Sequence, residues 1–261
     1  MGDERLRELE RRWRERGSLE AEAAWLKERV RAGELPRERL QLAATLGGAA
    51  RLAWGEEPLV VVEPELWVPL LQDPTGHGPV GPRELRTLEG FDAFTRREGL
   101  CAWGRWLLGW APLKALSAVR VASGAALVGY REWSKVFAPG RIEALGLQEW
   151  ATESLCRLEG LCVGWDPCEA GYPRFGGDAF DAADQARNRE GPAAVWAVEA
   201  VGHALLAAQH GDPREALLAI RKAASATDGA TVLAAIQADL APWLLGYGDP
   251  VRERVAKRGE A

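Results

Sequence analysis

Cysteine and histidine are scarce in this chain of 261 residues, with four of the first and three of the second. Cys101, Cys156, Cys162 and Cys168 are too few and too unevenly placed to staple a secreted scaffold, so reduced thiols in a cytoplasm are expected. His77, His203 and His210 offer little to a catalyst that works by proton transfer. A basic excess is missing as well. The 33 Lys and Arg stand against 38 Asp and Glu, leaving no global positive field to draw the chain to nucleic acid. No apolar run reaches the roughly 20 residues of a membrane span. Residues 100–128 are interrupted by Arg105, Lys114 and Arg120, and residues 193–208 by Glu199 and His203. The opening Met1-Gly2-Asp3-Glu4-Arg5 has no apolar centre of an export signal. A cytoplasmic protein without membrane, nucleic acid or cofactor is the expectation.

What is present is a hydrophobic share of 47% and a charged share of 27%, the composition of an ordinary globule. Leu6, Leu9 and Trp13 recur at i, i+3 and i+7. Asp3, Glu8 and Glu10 each precede an arginine by four residues, at Arg7, Arg12 and Arg14. Gly17 predicts the end of this helix, and Ser18 can cap the next. That second helix carries Leu19, Ala23, Leu26 and Val30 and stops at Gly33. A third helix begins near Pro36 and runs through Leu46 to the Gly47-Gly48 break. The surface of this module neutralises itself, since every base has an acid nearby.

Residues 56–82 read differently. Leu59-Val60-Val61-Val62 is a short β-branched run with no obvious strand to pair with. The Gly- and Pro-rich string from Asp73 to Pro82 reads as a loop. Helix signals then dominate. Trp103, Trp106 and Trp110 share one helical face beside Leu107 and Leu108, as core packing would require. Residues 115–128 are rich in Ala and Val, with Ser117, Ser123 and Gly124 small enough to let helices approach closely. Pro139-Gly140 is a break, and residues 141–158 resume as a helix with Leu145, Trp150 and Leu155. Residues 164–191 form a second irregular tract containing Trp165, Tyr172 and Phe175. Beyond it an Ala-rich helix runs from Pro192 to His210. Asp212-Pro213-Arg214-Glu215 is the strongest helix start in the chain, with an N-cap acid, Pro at the first position and Glu three residues past the cap. That helix reaches about Ser225, residues 230–245 form another, and Asp249-Pro250 opens a last, charged one. The expected fold is all-α, a helical bundle or helix-pair array with two irregular Gly/Pro-rich loops. Its expected organisation is a three-helix module over residues 1–55, a linker over 56–82 and an Ala/Trp-rich helical domain over 83–261.

Chemistry-bearing clusters are sparse. Glu199, His203 and His210 fall near one side of a helix, but the zinc-protease spacing is absent, and a Glu199–His203 hydrogen bond, or a His facing a neighbouring carbonyl, is expected. Cys156, Cys162 and Cys168 recur at intervals too wide for the usual zinc pairs. Asp178, Asp181 and Asp184 recur every three residues, as acids in the first turns of a helix would. No Gly-x-Ser-x-Gly elbow, phosphate loop or dinucleotide fingerprint occurs. No catalytic residue and no metal site are therefore assigned.

Two stretches carry a likeness to known proteins. The first runs from Arg131-Glu132-Trp133 through Pro139-Gly140-Arg141-Ile142-Glu143-Ala144 to Glu149-Trp150. The second is Val195-Trp196-Ala197-Val198-Glu199-Ala200-Val201-Gly202-His203-Ala204. Together they resemble a family of Ala-rich helical proteins predicted to be immunity proteins of bacterial polymorphic-toxin systems. The opening module, Leu6 to Leu46, is similar to a helical leader found ahead of unrelated domains in uncharacterised bacterial proteins. This chain lacks the acidic residue that the family carries after the Pro-Gly break. The resemblance implies a helical fold and a protein that occludes a toxin, and it supplies no active site.

The expected function is accordingly non-enzymatic protein binding. Trp165, Tyr172, Arg174 and Phe175 are of the types that dominate interfaces, and Asp166, Asp178 and Asp181 would steer a basic partner such as a toxin domain. One alternative is a metal-binding protein or enzyme with a site assembled from Cys168, Asp178, His203 and His210. Another is a structural component of a larger assembly.

Overall fold

The structure, a computed structural model, describes residues 2–59, 86–100, 104, 114–136, 147–163, 192–210 and 212–259. The fold is all-α. Among the described residues there are 11 helices and no strands. They are α1 (Gly2–Arg16), α2 (Leu19–Arg31), α3 (Arg37–Leu46), α4 (Gly48–Trp54), α5 (Leu88–Glu98), α6 (Lys114–Val136), α7 (Leu147–Cys162), α8 (Pro192–His210), α9 (Pro213–Ala226), α10 (Gly229–Leu245) and α11 (Pro250–Gly259). The chain divides into two compact units. The first takes Met1–Arg97, Trp110–Pro112 and Ala241–Gly248, and the second takes Glu98–Gly109, Leu113–Leu240 and Asp249–Ala261. No single helix among the described residues is long and apolar enough to cross a membrane.

In the first unit, local signals set the helix ends. Gly17 takes φ +62°, a left-handed conformation that suits glycine, and donates its N–H to the Trp13 carbonyl at 2.8 Å. Ser18 Oγ then accepts from Ala21 N at 3.2 Å and caps α2. Glu8–Arg12 and Glu10–Arg14 close as ion pairs at 2.9 and 2.6 Å on the exposed side of α1. Ala23 and Leu26 of the stripe that the periodicity predicts for α2 are buried, whereas Leu19 in the first turn is exposed and Trp25, outside that stripe, is buried. Glu28 is buried too, held by Arg31 at 2.6 Å and Arg5 at 3.5 Å. The Gly47-Gly48 break is followed by a further helix, α4, which buries Ala49, Ala50, Ala53 and Trp54 and packs on α2 and α3. Trp54 donates its indole N–H to the Glu57 carbonyl at 2.8 Å, and Arg37 lies 5.2 Å over its ring. Of the Leu59–Val62 run only Leu59 is described. It is buried and donates its N–H to the Arg86 carbonyl at 2.7 Å.

The second unit is built on small residues. Helices α6, α8 and α9 pack on one another, with α7 against α6 and α8. Ala194, Ala197, Ala200, Ala204 and Ala207 of α8 are wholly buried, as are Ala216, Ala219 and Ala223 of α9 and Ala118, Ala122, Ala125 and Ala126 of α6. Side chains this short bring helix axes together, since the interaxial distance follows the residues at the contact. Backbones come close at Gly129, where a Cβ would fall 3.2 Å from both Cα and Cβ of Ala223. Gly129→Leu is therefore expected to destabilise by about 1–3 kcal/mol or more, read as a lower urea midpoint at unchanged slope, because backbone atoms have nowhere to yield. The predicted start at Asp212 is observed: its carboxylate accepts from Arg214 N at 2.8 Å, with Pro213 opening α9.

A buried ionic network holds α11. Arg120 of α6, 3% exposed, makes a two-pronged pair with Asp249 at 2.9 and 2.6 Å and donates to the Cys162 carbonyl at 3.0 Å. Arg254 reaches Glu159 at 2.6 Å and both oxygens of Asp239 at 2.6 and 2.7 Å, and Arg258 also donates to Glu159. Within α11 only Val251 is a buried apolar residue, so charge rather than apolar area docks this helix. Burial alone would push the Asp249 carboxyl up, but the hydrogen bonds from Arg120 and the Arg252 N–H outweigh it and hold the carboxyl below its ordinary range. Burial pushes the Cys162 thiol up to about 12, which leaves it protonated and inert.

An aromatic and arginine groove as candidate functional site

The seven residues expected to bind a partner, Trp165, Asp166, Tyr172, Arg174, Phe175, Asp178 and Asp181, lie outside the described residues. So do the Trp103, Trp106 and Trp110 face, the loop from Asp73 to Pro82, Val60 to Val62, His77, the Pro139-Gly140 break, Cys101, Cys168 and Asp184. His203 and His210 are described, on α8. Glu199 and His203 both make contacts with the next helix. His203 Nδ1 lies 2.7 Å from Glu215 in the first turn of α9, and Glu199 pairs with Lys222 at 2.5 Å. The short connection from α8 to α9 folds the two helices face to face, so partners across the hairpin compete with those one turn away. His203 and His210 stand two turns apart, about 10.5 Å along the axis, too far to share one ion. Among the described residues, no group of three or more His, Cys, Asp or Glu is placed to hold a metal.

The first unit contains a cavity of about 570 Å³ with a different character, lined by residues of α1 and α2, by Glu34 and by the turn after α10. Its floor is three mutually stacked rings. Trp13 and Trp25 have centroids 4.5 Å apart at an interplanar angle of 16°. Tyr247 lies 5.4 Å from Trp13 at 24° and 5.7 Å from Trp25 at 18°. The helical hairpin around Gly17 and Ser18 brings the two indoles together. Tyr247 arrives from more than 200 residues later, past the helix end at Gly246, whose φ is +70°. A Cβ at Gly246 would also crowd Arg29 Nη2, at 3.2 Å.

Arg29 forms the back wall. Its guanidinium sits 4.8 Å over the Trp25 ring, donates to the Leu245 carbonyl at 2.5 Å and approaches Glu34 at 3.8 Å. The Tyr247 hydroxyl donates to Glu22. Burial, then this carboxylate, raise its pKa well above the ordinary phenol value, so it remains a donor. Arg7, Glu10 and Arg14 form the rim on α1. Glu10 is paired with Arg14, whereas Arg7 is exposed and makes no ion pair among the described residues. Tyr247, at 38% exposure, is among the few large apolar surfaces left open.

Sequence reasoning placed Trp13 in a core stripe and singled out neither Trp25 nor Tyr247. The available signals were a tryptophan on each side of a legible helical turn and a tyrosine held between two glycines at Gly246-Tyr247-Gly248. Compared with models of known families, with curated proteins and with solved structures, the chain matches none of them.

Proposed function

We propose that this protein works by binding another protein, and that the groove of Trp13, Trp25 and Tyr247 is where that partner docks. The observation that carries the reading is an open, preformed surface made of Trp, Tyr and Arg, the side chains that supply most binding energy at protein interfaces. Rings already stacked lose little freedom on contact, so their area converts efficiently into affinity. In the form given by the resemblance of residues 131–150 and 195–204, the partner is a toxin domain and the binding occludes it.

The test is a photo-crosslinking amino acid placed at position 247, with one at the exposed Leu52 as control, in cells of the native host. A discrete polypeptide adduct at 247 and none at 52 is the expected result. Equal labelling at both positions, or adducts only to small molecules, would remove the groove from the account.

A further inference from the structure

The geometry points to an acidic segment of the partner as the element that enters the groove, an extended chain that presents on one face an apolar side chain with a carboxylate two residues to either side. This rests on the docking reading above and gives it a chemistry. The lining carries three cations, Arg7, Arg14 and Arg29, against two anions, Glu10 and Glu34, in a chain whose formal net charge is −5. The local sign is thus opposite to the global one.

Arg29 is committed to the Leu245 carbonyl and Glu34 and belongs to the wall. Arg7 makes no ion pair among the described residues. Arg14 is 71% exposed in its pair with Glu10, and an ion pair that exposed is exchanged at little cost. Arg7 and Arg14 are i and i+7 on α1, on one face and about 10.5 Å apart along the axis. An extended chain covers that distance in about three to four residues. The same cavity is lined by Trp13 and by Tyr247, 38% exposed, which would cover an apolar side chain of the incoming segment.

The probe is a short fluorescein-labelled peptide of glutamates around a phenylalanine, read by anisotropy against the full chain. Its glutamine counterpart and a labelled oligothymidylate serve as comparisons. The glutamate peptide should bind, weaken with added salt, and lose about tenfold in affinity with Arg7→Glu and less with Arg7→Ala. Tyr247→Ala should weaken it as well, and Leu52→Ala should leave it unchanged. Circular dichroism would confirm that each variant keeps its helical content.

Equal binding of the glutamate and glutamine peptides, with sensitivity to Tyr247→Ala retained, would overturn the acidic partner and leave the docking groove standing. Insensitivity to both Arg7→Glu and Tyr247→Ala would overturn the two together. Tighter binding of the oligothymidylate than of the peptide would overturn the protein segment in favour of nucleic acid.

Discussion

Asp249→Ala is expected to destabilise the second unit by about 3–5 kcal/mol, since removing one partner of a buried ion pair leaves the other charge buried without its carboxylate. Arg120 has a side chain only 2% exposed, and after the substitution its guanidinium would still donate to the Cys162 carbonyl but lose both carboxylate oxygens. The same aspartate caps α11, accepting from Arg252 N at 3.2 Å, so fraying of that helix adds to the loss. Two further measurements separate the contributions. Arg120→Met combined with Asp249→Leu should be much less harmful than Asp249→Ala alone, because replacing both charges removes the desolvation cost along with the attraction. Asp249→Asn should alter the acid profile. A carboxyl held below its ordinary value contributes stability that is fully present above the unfolded-state pKa and is lost as pH falls through the folded-state value. Urea midpoints between about pH 5 and pH 2 should therefore fall more steeply in the parent chain than in the asparagine variant.

Trp54→Ala is the counterpart in the first unit, with an expected loss of about 3–5 kcal/mol. The indole is 3% exposed, closes α4 against its neighbours, bonds the Glu57 carbonyl and lies under Arg37. Trp54→Phe should recover most of the apolar contribution and leave the Glu57 carbonyl without its donor. Hydrogen exchange mapped by residue would show the loss in α2, α3 and α4, the helices packed around Trp54. Uniform loosening of every helix in both units would contradict that placement.

These effects show where the sequence was informative. Helix ends determined by the backbone of neighbouring residues were legible: Gly17 with Ser18, Gly33, Asp212 with Pro213, and Asp249 with Pro250 all act within one turn. The all-α class followed from the same periodicity. Helix α4 is too short for a pattern to register, seven residues that begin on the second glycine of a pair. Contacts across long separations were not legible. Arg120 and Asp249 are 129 residues apart, and Tyr247 reaches Trp13 only after the chain has passed through the second unit. Nor could periodicity decide between Glu199 and Glu215 as the partner of His203, since that depends on how closely α8 and α9 fold back on each other.

The near-parallel indoles of Trp13 and Trp25 have an optical consequence. Chromophores 4.5 Å apart share their excited states, so an in-plane twist between the two rings shows as an exciton couplet in the ultraviolet dichroism spectrum. Anything that pries the rings apart or slides between them would collapse that couplet, giving the groove a built-in reporter that needs no attached dye.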